Sequence, residues 1–165
     1  MAKVLLGFMG SGKTTIARKL DPDFVDMDAL LEDRLGMPIA RFFEEKGEAA
    51  FRQLEEEVLS DLLKTDKVIS TGGGIVISPR NRALLKQNPD NIYLKADFET
   101  LYQRISADKD NQRPLFLKNS KEGLAAIFKE RQVWYEEVAS RVLDVTKLSP
   151  CLLYTSPSPR DRTRS

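Results

Sequence analysis

Short apolar runs, rich in β-branched residues, alternate along this chain with longer stretches whose apolar positions recur at helical spacing. The short runs predict strands at Lys3–Phe8, Asp23–Met27, Lys67–Gly72, Asn91–Ala96 and Arg141–Thr146. The longer ones predict helices over Lys13–Leu20, Ala29–Leu35, Ala40–Leu63, Pro79–Gln87, Phe98–Ile105 and Lys121–Ser140. Strand and helix in alternation mean βαβ crossovers, hence an α/β fold with a mostly parallel sheet and helices on both faces. No internal repeat is visible. The polar run Ser106–Ser120, interrupted by Pro114, falls between two helices, and a loop of that length in a compact domain is expected to serve a function.

At 165 residues the chain is long enough for a single sizeable core, and 41% hydrophobic with 31% charged residues is the balance of a soluble globular protein. No run approaches the roughly 20 apolar residues of a membrane helix. The apolar start "KVLLGFMG" turns straight into glycines, unlike a signal peptide, so a cytoplasmic protein is expected.

Residues 151–165, "CLLYTSPSPRDRTRS", have no amphipathic period and cluster Ser, Pro and Arg. Cys151–Asp161 resembles, in frame, the translation of a transposase-type sequencing adapter, and the segment is read as a non-native disordered tail. Without its three arginines and one aspartate the net charge of residues 1–150 is −1 rather than +1. Neither value supports nucleic acid or an anionic membrane as a partner. The single cysteine lies in the tail and histidine is absent, which excludes disulfides, zinc centres, Cys–His nucleophiles and a histidine base.

"GFMGSGKT", Gly7 to Thr14, fits the phosphate-binding pattern G-x-x-x-x-G-K-[ST] between a predicted strand and a predicted helix. Glycines let backbone N–H groups turn around phosphate oxygens, and the helix N-terminus adds its positive end. Gly10, Ser11, Gly12, Lys13, Thr14 and Thr15 are the candidate nucleotide-binding residues, with Lys13 for the β- and γ-phosphates and the Thr14 hydroxyl for Mg²⁺.

"FVDMD" sets Asp26 and Asp28 two apart at a strand's carboxyl end, where open α/β sheets bind ligands. Asp26 suits the outer shell of a P-loop Mg²⁺. Asp28 is then a surplus acceptor beside the γ-phosphate, fit for substrate hydroxyls; a competing reading makes it the N-cap of the following helix. In "GEAAFRQLEEE", Arg52 and Glu55 are three apart, so the carboxylate can hold the guanidinium in place or the two can form a plain surface pair. Gly72, Gly73 and Gly74 in "STGGGI" suggest close approach of backbone to a ligand. Arg131 is a second candidate cation, or a surface arginine. These residues describe a kinase for a small acceptor bearing hydroxyls and a carboxylate.

In order along residues 1–150, "GFMGSGKT", "FVDMD", "FFEEKGEAAFRQLE", "STGGG", "RPLF" and "ERQVWYEEVA" resemble shikimate kinase. The resemblance implies a three-layer P-loop kinase fold of the nucleoside-monophosphate-kinase type, with a five-stranded parallel sheet of order 2-3-1-4-5 and a mobile lid, usually monomeric. It implies transfer of the γ-phosphoryl of ATP to the 3-hydroxyl of shikimate, on the way to chorismate and the aromatic amino acids, with Mg²⁺ bound by Thr14 and Asp26. Catalytic roles then fall to Lys13, Asp28 and Arg113. The acceptor would meet Asp28, Arg52, Arg131 and Gly72–Gly74, walled by Phe43 and Phe51, in a region of about residues 28–63. The lid would span about 106–118, with Arg113 swinging onto the transferring phosphate and Arg104 against adenine. Two departures stand out. The link "RKLDPDFV" is shorter than in many members, and the family's closing helix after the last strand is expected to be missing, which would uncover an apolar sheet face.

A gluconate-type kinase also joins a P-loop to a hydroxy acid, but the D-x-D, F-R-x-x-E and triple glycine argue against it. A regulatory GTPase would need N-K-x-D, which is absent. A nucleotide-binding chain without activity is the third alternative.

Overall fold

The computed structural model describes residues 2–107 and 119–146. Its elements run β1 (Lys3–Leu6), α1 (Lys13–Leu20), β2 (Val25–Asp26), α2 (Met27–Leu35), α3 (Ile39–Lys46), α4 (Glu48–Leu62), β3 (Val68–Ser70), α5 (Pro79–Gln87), β4 (Asn91–Lys95), α6 (Phe98–Ala107), α7 (Lys121–Val138) and β5 (Arg141–Asp144). The strands form one five-stranded sheet of order β2-β3-β1-β4-β5, parallel throughout. In β1, Leu5 pairs with Ser70 of β3 on one side and Ile92 of β4 on the other, so the carboxyl ends of the central strands open at one edge.

Alternation along β1 separates the layers. Val4 and Leu6 join the main core with Met27, Leu59, Tyr93 and Tyr135. Leu5 points the other way, into a smaller cluster with Ala17 and Val68 under α1. Local chemistry sets the helix ends. Ser78 caps α5 ahead of Pro79, and the Ser120 hydroxyl accepts from Gly123 N–H at 3.0 Å to cap α7.

The expected helix over Ala40–Leu63 is two helices. Gly47 breaks it with φ 88° and ψ 165°, a conformation nearly confined to glycine. The periodicity continues through the break because both helices pack an apolar face on the same core, which is why the pattern alone read as one. Upstream, the Glu32 carboxylate accepts from Ile39 N–H at 2.9 Å and caps α3 from the preceding helix. The expected strand Asp23–Met27 is also shorter, beginning at Val25 and ending at Asp26. The expected lid begins within α6, whose last residues are Ser106 and Ala107; the rest of it, Arg113, the adapter-like tail and the expected loss of a closing helix fall outside the described residues.

Gly47→Ala leaves ample space for the new methyl, since nothing lies within 4 Å of it, so its cost is backbone strain alone. Urea unfolding should show a loss of about 1–3 kcal/mol; an unchanged midpoint would mean the α3–α4 junction relaxes freely.

Candidate active site

The loop from Gly7 to Gly12 leaves β1 and enters α1 through Gly10 (φ 84°) and Gly12 (φ 90°). Gly12 is the N-cap of α1 and supplies no side chain, so the helix start is left to an outside acceptor. Lys13 folds back and donates to the carbonyl oxygens of Gly7 (2.6 Å) and Phe8 (3.2 Å). The Ser11 hydroxyl is buried with no hydrogen-bond partner among the described residues. An orphaned hydroxyl beside an uncapped helix start suits an anion with several oxygens. Arg104, from α6, donates to Gly10 O (3.4 Å) and Val145 O (3.0 Å), tying the loop to the end of β5.

A cleft of about 1350 Å³ runs from this loop across the carboxyl ends of the strands. Gly10, Ser11, Gly12, Lys13, Thr14, Thr15 and Arg104 line one end, and Asp28, Phe43, Arg52, Gly72, Gly73, Gly74 and Arg131 the other, with Asp26 between. Every expected site residue among the described ones reaches this cleft except Phe51. That ring is 3% exposed and lies behind the wall, 4.9 Å from the Phe43 ring and 5.3 Å from the Arg52 guanidinium carbon. It supports the wall instead of forming it, because α4 turns its apolar face to the core at Phe51 and its next residue to the cleft.

The two aspartates arrive by a different route from the one strand alternation predicts. The chain leaves the strand at Asp26, whose carboxylate accepts from Ala29 N–H at 3.3 Å and caps α2; the cap is Asp26, not Asp28. Asp28 stands in the first turn of that helix, where the dipole favours a carboxylate. Its side chain is open to the cleft but closely flanked by protein. Desolvation is the largest influence and pushes its carboxyl above the usual range, with Asp26 and Glu32 adding repulsion while Lys13 and Arg52 pull the other way.

Each of the three glycines faces one charged group. A Cβ on Gly72 would stand 2.6 Å from Asp28 Oδ1, one on Gly74 2.8 Å from Arg52 Nη2, and one on Gly73 3.6 Å from Arg131 Nη1. Arg52 is not a surface residue: its Nη1 donates to Glu55 Oε1 at 2.9 Å and to Gly74 O at 3.1 Å. Glu55 is 2% exposed, and desolvation raises its carboxyl despite the adjacent guanidinium. Arg131 is half-buried over the Phe8 ring at 5.9 Å, and burial lowers its pKa. The site therefore joins a phosphate-type cradle to a pocket in which the Asp28 carboxylate faces two cations, Arg52 and Arg131. Glu48 was missed from the sequence: it lines the cleft and accepts from Arg52 Nε at 3.3 Å, a contact its four-residue spacing from Arg52 could have signalled.

A shikimate kinase family model matches residues 9–156. The chain is 52% identical over 151 residues to a shikimate kinase of Streptococcus gordonii, covering 91% of this chain and 94% of that one. The chain belongs to the shikimate kinase family. A shikimate kinase of Enterococcus faecalis is 46% identical over 151 residues, covering 89% and 90% of the two chains. Among solved structures, the shikimate kinase of Acinetobacter baumannii in complex with shikimate superposes with a TM-score of 0.82 at 34% identity, over 93% of this chain and 88% of that one. Membership of the shikimate kinase family accounts for the joint appearance of the D-x-D, F-R-x-x-E and triple-glycine segments around one cleft.

Asp28→Asn should melt slightly above the parent at pH 7. A carboxyl raised on folding costs stability as pH climbs through and above its window, so the gain should fade as pH falls through the raised value and vanish below 3.8, where the carboxyl is protonated in both states. The effect is small because the group opens to water. Melting curves from pH 3.5 to 7.5 test it; a variant that melts lower at pH 7 would show that the Lys13 and Arg52 attractions outweigh desolvation.

Proposed function

We propose that this chain transfers the γ-phosphoryl group of ATP to the 3-hydroxyl of shikimate, giving shikimate 3-phosphate and ADP, as a cytoplasmic monomer in the route to chorismate and the aromatic amino acids. The observation that carries the reading is the meeting of Arg52, Arg131 and Asp28 on three consecutive glycines, across the cleft from a P-loop. Two cations suit the acceptor's carboxylate, and one carboxylate suits its hydroxyls. No helix among the described residues is long and apolar enough to cross a membrane, which accords with that location.

The nucleotide phosphates lie on the P-loop, with Gly10–Thr15 supplying N–H and hydroxyl donors and Lys13 the cation; Arg104 flanks the adenine. Thr14 and Asp26 are hard oxygen donors lining one cleft, and they would hold Mg²⁺. Bound there, it would supply charge neutralisation for the transferring group. Arg52 and Arg131 orient the acceptor by its carboxylate. Asp28 accepts a hydrogen bond from the attacking hydroxyl and can take its proton. Arg113, by its place in "RPLF", neutralises the transferring phosphate. Because the transition state is loose, positioning and charge do more than a strong base, and the absence of histidine is no obstacle.

Purified chain with Mg-ATP should release ADP when shikimate is added and not when gluconate is added. Asp28→Asn should lose transfer while nearly keeping ATP affinity, and Arg113→Ala should lose about 10³-fold in rate. ADP release with gluconate but not shikimate would replace the acceptor; equal losses of ATP affinity and turnover in Asp28→Asn would overturn the division of labour between the aspartates.

A further inference from the structure

The acceptor end of the cleft is tied together from behind by a residue that does not line it. Tyr135 follows Arg131 by one turn of α7, on the same face, and is fully buried. Its phenol O–H donates to the Gly73 carbonyl oxygen. The Arg131 guanidinium lies on the same glycine: a Cβ on Gly73 would stand 3.6 Å from its Nη1. The phenol and the cation therefore meet the Gly73 segment together, the phenol through its O–H and the guanidinium by contact. The ring is fixed by stacking on Tyr93, with centroids 5.1 Å apart and planes 27° from parallel.

We infer that Tyr135 is a positioning residue for the acceptor. Its hydroxyl fixes the Gly73 carbonyl, and with it the glycine segment after β3 on which the Arg131 guanidinium rests, so that the cation meets a substrate carboxylate already oriented. This rests on the reading of the acceptor as shikimate. Loss of the hydroxyl removes the donor that holds the Gly73 carbonyl, loosening the segment that Arg131 rests on. Tyr93 is a built-in comparison: it shares the stack, but its own hydroxyl is buried with no hydrogen-bond partner among the described residues.

Tyr135→Phe and Tyr93→Phe both keep the stacked rings and can be compared with the parent by calorimetry with shikimate and by steady-state kinetics. For Tyr135→Phe the Kd and KM for shikimate should rise several-fold, up to about tenfold, as for one lost hydrogen bond, with kcat and the KM for ATP nearly unchanged. Tyr93→Phe should match the parent throughout. Unaltered shikimate affinity in Tyr135→Phe, beside a parent that binds shikimate, would overturn this inference alone. So would a loss shared by Tyr93→Phe or by ATP, which would mark a general loosening of the core. A parent that binds no shikimate would overturn the acceptor reading, and the inference with it.

Discussion

Just past the carboxyl end of β3, Gly72 and Gly74 have no room for a side chain. Three charged groups from three different helices converge there: Asp28 from α2, Arg52 from α4 and Arg131 from α7. At Gly72 and Gly74 a single methyl would fall within 3 Å of one of those groups, a distance that Cβ atoms do not tolerate. The constraint is steric before it is chemical. Remove the glycines and the charges must retreat, and with them the geometry of the acceptor end.

Bringing charge into a half-buried cleft carries a desolvation penalty, and the molecule offsets it unevenly. Arg52 is compensated on one side: Glu55 and the Gly74 carbonyl take its Nη1 donors, Glu48 accepts from Nε, and the Phe43 and Phe51 rings flank it. Arg131 has the Phe8 face and the Tyr135 phenol, with room left for an anion. Asp28 has nearby cations but none close enough to cancel its desolvation. The groups left least satisfied are those that face the cleft, as expected of a site whose missing partners are supplied by ligands.

The nucleotide end is simpler, because the backbone does most of the work. The parallel register puts β1 between β3 and β4, so the loop after β1 opens beside the β3 glycines. Gly10 lies so close to α6 that a Cβ would meet Ile105 at 3.1 Å, and Arg104 closes the contact from the same helix. The P-loop and the β3 glycines are thus held at a fixed separation by the sheet itself, as the proposed phosphoryl transfer between them requires.

Much of this was legible in the chain before any coordinates. The P-loop, the alternation of strands and helices, and the glycine triplet are local signals, set by backbone conformation and short-range periodicity, and they gave the α/β class and the cradle. The i,i+3 spacing of Arg52 and Glu55 announced a pair, but spacing is blind to burial; only the docking of α4 against the β3 loop makes Glu55 a buried clamp and not a surface partner. Periodicity could not see the break at Gly47, since both helices share one core, nor the end of β2, since a capping bond at Asp26 overrides alternation. Nor could it tell Phe43, which faces the cleft, from Phe51, which lies beneath it. What the sequence determined by itself is therefore which groups are present and in which local conformations. Their convergence on one strand end was decided by tertiary packing, because contacts between residues as distant as Tyr135 and Gly73 are formed only when the whole sheet closes around them.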